Sequence, residues 1–137
     1  MLSRSTRLVV ASMAVAAFLA GLAGCSDSPT SPGINPEIVN QADHFSYQVS
    51  NIKNYSATAS YTWSNSGPQA TINQACSVSA GTATLIVLDG AAVQVYTRSL
   101  AENGTFTTAS GTPGAWTIRI VYNGLSGTMN FRADVTT

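Results

Sequence analysis

Trp116-Thr117-Ile118-Arg119-Ile120-Val121-Tyr122 and, a few residues on, Thr128-Met129-Asn130-Phe131-Arg132-Ala133-Asp134-Val135 decide how this chain folds. Both runs place apolar residues at every second position, the signature of a strand with one face buried and one in water. The apolar set is even-numbered in the first run (Trp116, Ile118, Ile120, Tyr122) and odd-numbered in the second (Met129, Phe131, Ala133, Val135). Asn123-Gly124 lies between them as a turn signal. Read as a hairpin, opposed residue numbers must therefore sum to an odd number. A sum of 251 sets Arg119 against Arg132, which only Asp134, diagonal to Arg119, offsets. A sum of 249 sets Arg119 against Asn130 and Thr117 against Arg132, around an Asn123–Ser126 turn. Like charges directly opposite destabilise, so the expected register is 249.

The same period runs back through the chain. Phe45, Tyr47 and Val49 alternate with Ser46, Gln48 and Ser50, and Ala57, Ala59, Tyr61 and Trp63 with Thr58, Ser60 and Thr62. Ile72, Cys76 and Val78 share a parity that Gln74 breaks. Val93 and Val95 oppose Gln94, Tyr96 and Arg98. Leu85-Ile86-Val87-Leu88 is apolar at both parities, as in a central strand covered on both faces or lying under a long loop. Turn signals separate the runs at Ser66-Gly67-Pro68, Ala80-Gly81, Asp89-Gly90, Asn103-Gly104 and Gly111-Thr112-Pro113-Gly114. About eight short strands at this spacing, with no helical window after Cys25, predict an all-β fold. The expected architecture is an antiparallel β-sandwich over residues 42–137.

The N-terminus has a different logic. Arg4 and Arg7 precede the uncharged apolar run Leu8–Ala20, the layout of a cleaved secretory signal. Leu8 to Gly24 is 17 residues, at the lower limit for a membrane span. No positive charge follows to stop transfer. Leu22-Ala23-Gly24-Cys25 resembles the lipobox of bacterial lipoproteins, with Leu at −3, small residues at −2 and −1, then Cys. The resemblance implies removal of residues 1–24 and a diacylglycerol on the Cys25 thiol, with acylation of the new amine in many bacteria. Two or more acyl chains anchor stably where one holds only marginally. In Gram-negative lipoproteins an Asp after the Cys favours inner-membrane retention. Ser26 stands there instead, so the resemblance implies the outer membrane. Residues 25–41 then form the lipidated N-terminus and tether: Ser26–Asn40 holds Pro29, Pro32, Pro36 and Gly33 among small polar residues with no apolar period, which predicts an extended, disordered linker.

Cleavage leaves 113 of the 137 residues, enough for one domain and one core. Arg4 and Arg7 depart from the six basic side chains, leaving four against six acidic ones. A net charge near −2 argues against nucleic acid, which needs a clustered basic surface. With Cys25 acylated, Cys76 has no intrachain disulfide partner, and its parity marks it as a small buried hydrophobe.

Gly114-Ala115-Trp116-Thr117-Ile118-Arg119-Ile120, followed by Ser126-Gly127-Thr128-Met129-Asn130-Phe131, resembles the closing hairpin of pre-peptidase C-terminal domains and of the P-domain of proprotein convertases. The likeness spans about 50 residues, and Gly81–Asp89 with Gly90 suits it. It implies a sandwich, often of jelly-roll type, serving as an accessory or binding module. Some members bind calcium through several loop acidic residues. Asp89 has no acidic neighbour, so no metal site is carried over, and no cofactor is expected.

Catalytic sets are weak. His44 is the single histidine; Asp43 beside it points to the opposite face of a strand, and no Gly-x-Ser-x-Gly elbow exists. Ser50-x-x-Lys53 lacks its partner motifs and sits in a β pattern. Asp89, Glu102 and Asp134 are isolated carboxylates. Asn54-Tyr55-Ser56 and Asn103-Gly104-Thr105 match glycosylation acceptors but read as turns in a bacterial chain. Trp63 and Trp116 read as core. Tyr96, out of phase between Gln94 and Arg98, and Tyr55 are the candidate exposed aromatics; with Arg98 they are the candidate ligand-binding residues. The expected protein is a non-enzymatic envelope lipoprotein, held to the membrane through Cys25, whose sandwich binds a protein, peptide or glycan. The alternatives are a structural lipoprotein without a ligand, and a hydrolase using His44.

Overall fold

The computed structural model describes residues 33–137. The leader, the lipobox Cys25 and the first part of the tether lie outside the described residues. The rest is all-β: β1 (Glu37–Gln41), β2 (His44–Asn65), β3 (Ala70–Gln74), β4 (Ser77–Leu88), β5 (Gln94–Ser99), β6 (Gly104–Thr107) and β7 (Gly114–Val135). They form one antiparallel sheet in the order β1-β2-β7-β3-β6, with β4 also beside β7 and β5 beside β4.

The two runs that read as a hairpin are one strand. Trp116–Tyr122 and Thr128–Val135 are the halves of β7, and no reversal occurs at Asn123-Gly124. Arg119 faces Ser60 on one side and Ile86 on the other, so the 249 register does not exist. The parity change between the runs has another cause. The β2–β7 ladder slips at Val49/Ile52, Ile52/Tyr55 and Tyr55/Ala57, and the β4–β7 ladder slips at Val78/Ala80 and Ala80/Thr82. Each bulge inserts an extra residue, flips the inward parity and bends the strand. β2 joins two more of the expected strands in the same way. Seven strands stand among the described residues where about eight are expected, because these mergers are partly offset by β1 and β6, which no alternating run announces.

These bends lie side by side in β2, β7 and β4, so the sheet turns over on itself there. Side chains from its two halves meet. The Tyr47 hydroxyl lies 2.7 Å from that of Tyr122. The Phe45 and Tyr61 rings are 5.7 Å apart, and the Tyr96 hydroxyl donates to Gln74 Oε1. Between the halves sits the core, with Phe45, Trp63, Ile72, Leu85, Leu100, Trp116, Ile118, Ile120 and Ala133 fully buried. Trp63 and Trp116, buried as their parity predicts, meet edge to face at 6.1 Å. Such a pair adds roughly 0.5–1.5 kcal/mol beyond the area it buries.

β1 takes Glu37–Gln41 out of the stretch that reads as linker. All five of its residues are exposed, so no buried period announces it. It is held instead by its ladder to β2, closed by Ala42 and Asp43 with Asp43 at φ 66°. Leu85 and Val87 are buried while Ile86 and Leu88 are half-buried, so β4 is a central strand with one partly open face.

The bend demands glycine where β4 and β7 touch. A Cβ on Gly127, at φ 144°, would lie 2.1 Å from the Ser77 carbonyl oxygen, with no flexible atom to yield. Gly127→Ala and Gly114→Ala both force an L side chain into a positive φ, and Gly127→Ala is expected to lower stability by at least ~2 kcal/mol more than Gly114→Ala in the same urea titration. Gly114 also has positive φ, but a Cβ there meets nothing within 4 Å, so the pair separates close approach from backbone strain.

Candidate functional site

The three residues expected to meet a ligand have separate fates. Tyr96 is 7% exposed, not solvated. The β4–β5 ladder slips between Val87 and Leu88, pairing Val87 with Tyr96 and Leu88 with Gln94. That bulge turns both Val95 and Tyr96 inward and leaves Val93 exposed, contrary to simple alternation. The Tyr96 hydroxyl donates 2.6 Å to Gln74 Oε1, and Gln74 Nε2 donates to the carbonyls of Ser99 and Glu102. Gln74, which breaks the parity of its run, is the buried polar hub of this corner. Burial pushes the Tyr96 hydroxyl up to about 12.

Arg98 is occupied by its own neighbours. Nη1 reaches Glu102 Oε2 at 2.6 Å, and the guanidinium carbon stacks 3.9 Å above the Phe106 ring. The bond to Glu102 raises its pKa further. Its role is to tie β5 to β6, with the ion pair partly exposed and worth little on its own.

Tyr55 lies elsewhere, on β2 at the bend, with two strands between it and β5. It belongs to a group of four tyrosines. Its ring meets Tyr122 edge to face at 5.1 Å, Tyr61 lies 6.0 Å from Tyr47, and Tyr47 and Tyr122 share the buried hydroxyl contact. Desolvation raises the pKa of Tyr47, Tyr61 and Tyr122, so all three stay neutral and able to donate. Tyr55 and Tyr61 are half-exposed although they point towards the core. The reason is topological. The second half of β2 pairs with β7 on one side and with no described strand on the other. Ala57 and Ala59, also half-buried, continue this open side, and Gly33 lies beside the Tyr55 ring. Nothing in the alternation of Tyr61 distinguishes it from a core residue; its exposure follows from strand order alone.

His44 faces Asp134 across the β2–β7 ladder, Nδ1 to Oδ1 at 2.5 Å, and Arg132 Nε lies 3.8 Å from the other carboxylate oxygen. Both partners of the His44–Asp134 pair are partly exposed. Asp43 turns away from His44 and accepts from the Ser66 N–H and hydroxyl, which holds its carboxyl below the usual range. Among the described residues no hydroxyl hydrogen-bonds the imidazole, and no cluster of three His, Cys, Asp or Glu side chains could hold a metal ion. Cys76 is buried as its parity implies. Its amide is held by Asn103 and its sulfur contacts the Asn130 backbone, and burial raises the thiol pKa. Asp89 closes the β4–β5 turn by accepting from the backbone N–H groups of Ala91, Val93 and Thr112.

Compared with known proteins, the chain matches no family model and no curated sequence.

Two outcomes follow from these contacts. Tyr96→Phe removes the donor to a buried amide oxygen and is expected to cost about 1–3 kcal/mol in urea unfolding, without exposing a ligand surface. Asp89 has its carboxyl held down chiefly by the Thr112 N–H, then by Val93. A folded-state pKa below the unfolded value near 3.8 adds stability that is present above that pH and lost as pH falls through the folded pKa. Thermal unfolding from pH 7 to 2 should therefore show Asp89→Asn melting lower than wild type at neutral pH and losing less on acidification.

Proposed function

We propose that this chain is a lipid-anchored envelope lipoprotein, held through Cys25, whose β domain is a non-catalytic module. It takes a protein, peptide or glycan partner on the open side of β2. One observation carries this reading. Tyr55 and Tyr61 stand half-exposed over the buried Tyr47–Tyr122 pair, on a side of the sheet with no neighbouring strand among the described residues. Aromatic rings with a polar tip give contact area at low entropic cost, which suits recognition surfaces. The folded sheet supports an accessory fold of the sandwich type, with its halves as the two layers. The Leu22–Cys25 motif supports the anchor, and Ser26 supports sorting to the outer membrane.

The spacing suits that arrangement. Residues 26–36 separate Cys25 from the first strand. Eleven residues reach at most about 36–40 Å when extended. The domain would therefore work close to the membrane surface.

Labelled palmitate fed to cells making the protein should appear in the chain, and should vanish in Cys25→Ser with release from the membrane fraction. Purified lipoprotein in micelles, screened on envelope peptides and glycan arrays, should retain a ligand that Tyr55→Ala binds about tenfold more weakly. An unlabelled wild type would refute the anchor, and equal binding by Tyr55→Ala would refute the site.

A further inference from the structure

Tyr55-Ser56-Ala57-Thr58-Ala59-Ser60-Tyr61 is a palindrome, and it lies on the open edge of β2. The backbone of this edge is free to pair. Asn40 Nδ2 donates to the Thr62 carbonyl and the Asp43 N–H to the Ser64 carbonyl. Those carbonyls therefore face away from β7. The β2–β7 ladder is regular from Ala57 to Asn65, so by alternation the N–H and C=O groups of Thr58 and Ser60 face away too. Among the described residues nothing caps them.

The free side of β4, Ser77–Ala83, is interrupted by two ladder slips, and the outermost strands carry devices that prevent strand addition. β1 is short, follows Pro36 and bears Glu37; β5 is bulged and bears Arg98; β6 has four residues. The edge from Asn54 to Asn65 has no charge and no proline.

We propose that this edge pairs antiparallel with the same edge of a second copy, about a two-fold axis through Thr58. The proposal rests on the open side of β2 being the recognition surface, and it names the partner. The register follows from the palindrome. Thr58 meets Thr58, Ala57 meets Ala59, Ser56 meets Ser60 and Tyr55 meets Tyr61. Like meets like in every pair, with no charge brought against charge. Ser56 Oγ accepts from the Gly124 N–H and keeps its proton to donate. Aromatic and hydroxyl cross-strand pairs are each favourable. The half-exposed tyrosines of the two copies close over one another, with the alanines leaving room between them. A strand pair this short gives a weak contact in solution. Confinement to a membrane raises the local concentration that a weak pair needs.

Cross-linking of the full lipoprotein in native membranes tests this. Thr58→Cys, treated with the shortest bismaleimide, should give a dimer band. Thr97→Cys on β5, and wild type, with Cys25 acylated under the proposed anchor and Cys76 buried, should not. Thr58→Lys and Thr58→Glu, each alone in micelles, should sediment as monomers, and their mixture should restore the dimer. Equal cross-linking of Thr58→Cys and Thr97→Cys, or a dimer indifferent to Thr58→Lys, would overturn the proposal. If a monomeric chain still loses an envelope ligand in Tyr55→Ala, the second copy is wrong and the binding surface stands. If the dimer forms and no foreign ligand is found, the second copy is the partner.

Discussion

Close approach of β4 to β7 is the constraint on which this fold depends. Gly81 and Gly127 bring the two backbones near enough that a Cβ at either would fall about 2.1 Å from a carbonyl oxygen of the facing strand. Both have positive φ, which an unbranched backbone without Cβ adopts at little steric cost. At that point the ladders slip, the inward parity changes, and strands of 22 residues fold over instead of running on as an open ribbon. Without the bend, the apolar faces of the two halves would both need a separate cover. With it, each half covers the other, and one sheet supplies both walls of the core.

The same bend produces the tyrosine group. Tyr47 and Tyr122 come from opposite halves and reach each other only because β2 and β7 double back together. A buried hydroxyl pair satisfies both groups without a charge, whereas either alone would cost about 1–3 kcal/mol. Strand order then decides which tyrosines are covered. β1 shields the first half of β2 and stops short of the second, where Asn40 and Asp43 reach over to clasp the Thr62 and Ser64 carbonyls. Beyond that clasp no described strand covers the edge, and Tyr55 and Tyr61 look out of the core.

Alternation made the β class, the two tryptophans and buried Cys76 legible, because each needs only a local period and a preference for burial. What it hides is how runs connect. An Asn-Gly between two strands of opposite parity has two physical meanings, a reversal or a bulge, and Asn123-Gly124 is the second. The odd-sum constraint of a hairpin reading is the trace of that bulge. Tyr96 fails for a related reason: the slip at Val87/Leu88 places two consecutive residues inside, which no period of two anticipates. Gln74 carried a real signal, since a polar residue at a buried parity calls for a partner, and that partner is the tyrosine read as exposed. β1 left no trace, being wholly exposed.

Self-pairing through β2 would also limit itself. Antiparallel contact about a two-fold axis is isologous, so one partner occupies the edge of each copy and none is left for a third. Its length is bounded at both ends by features of the same chain. Asn40 occupies the Thr62 carbonyl at one end, and the ladder slips that bend β2 begin at Ala57/Tyr55 at the other. A sliding register would bring a partner strand against the clasp or around the bend, and would lose the match of tyrosine with tyrosine. An uncharged edge that would be an aggregation hazard on an open sheet thus becomes a contact of fixed length and register, because the fold that exposes it also frames it.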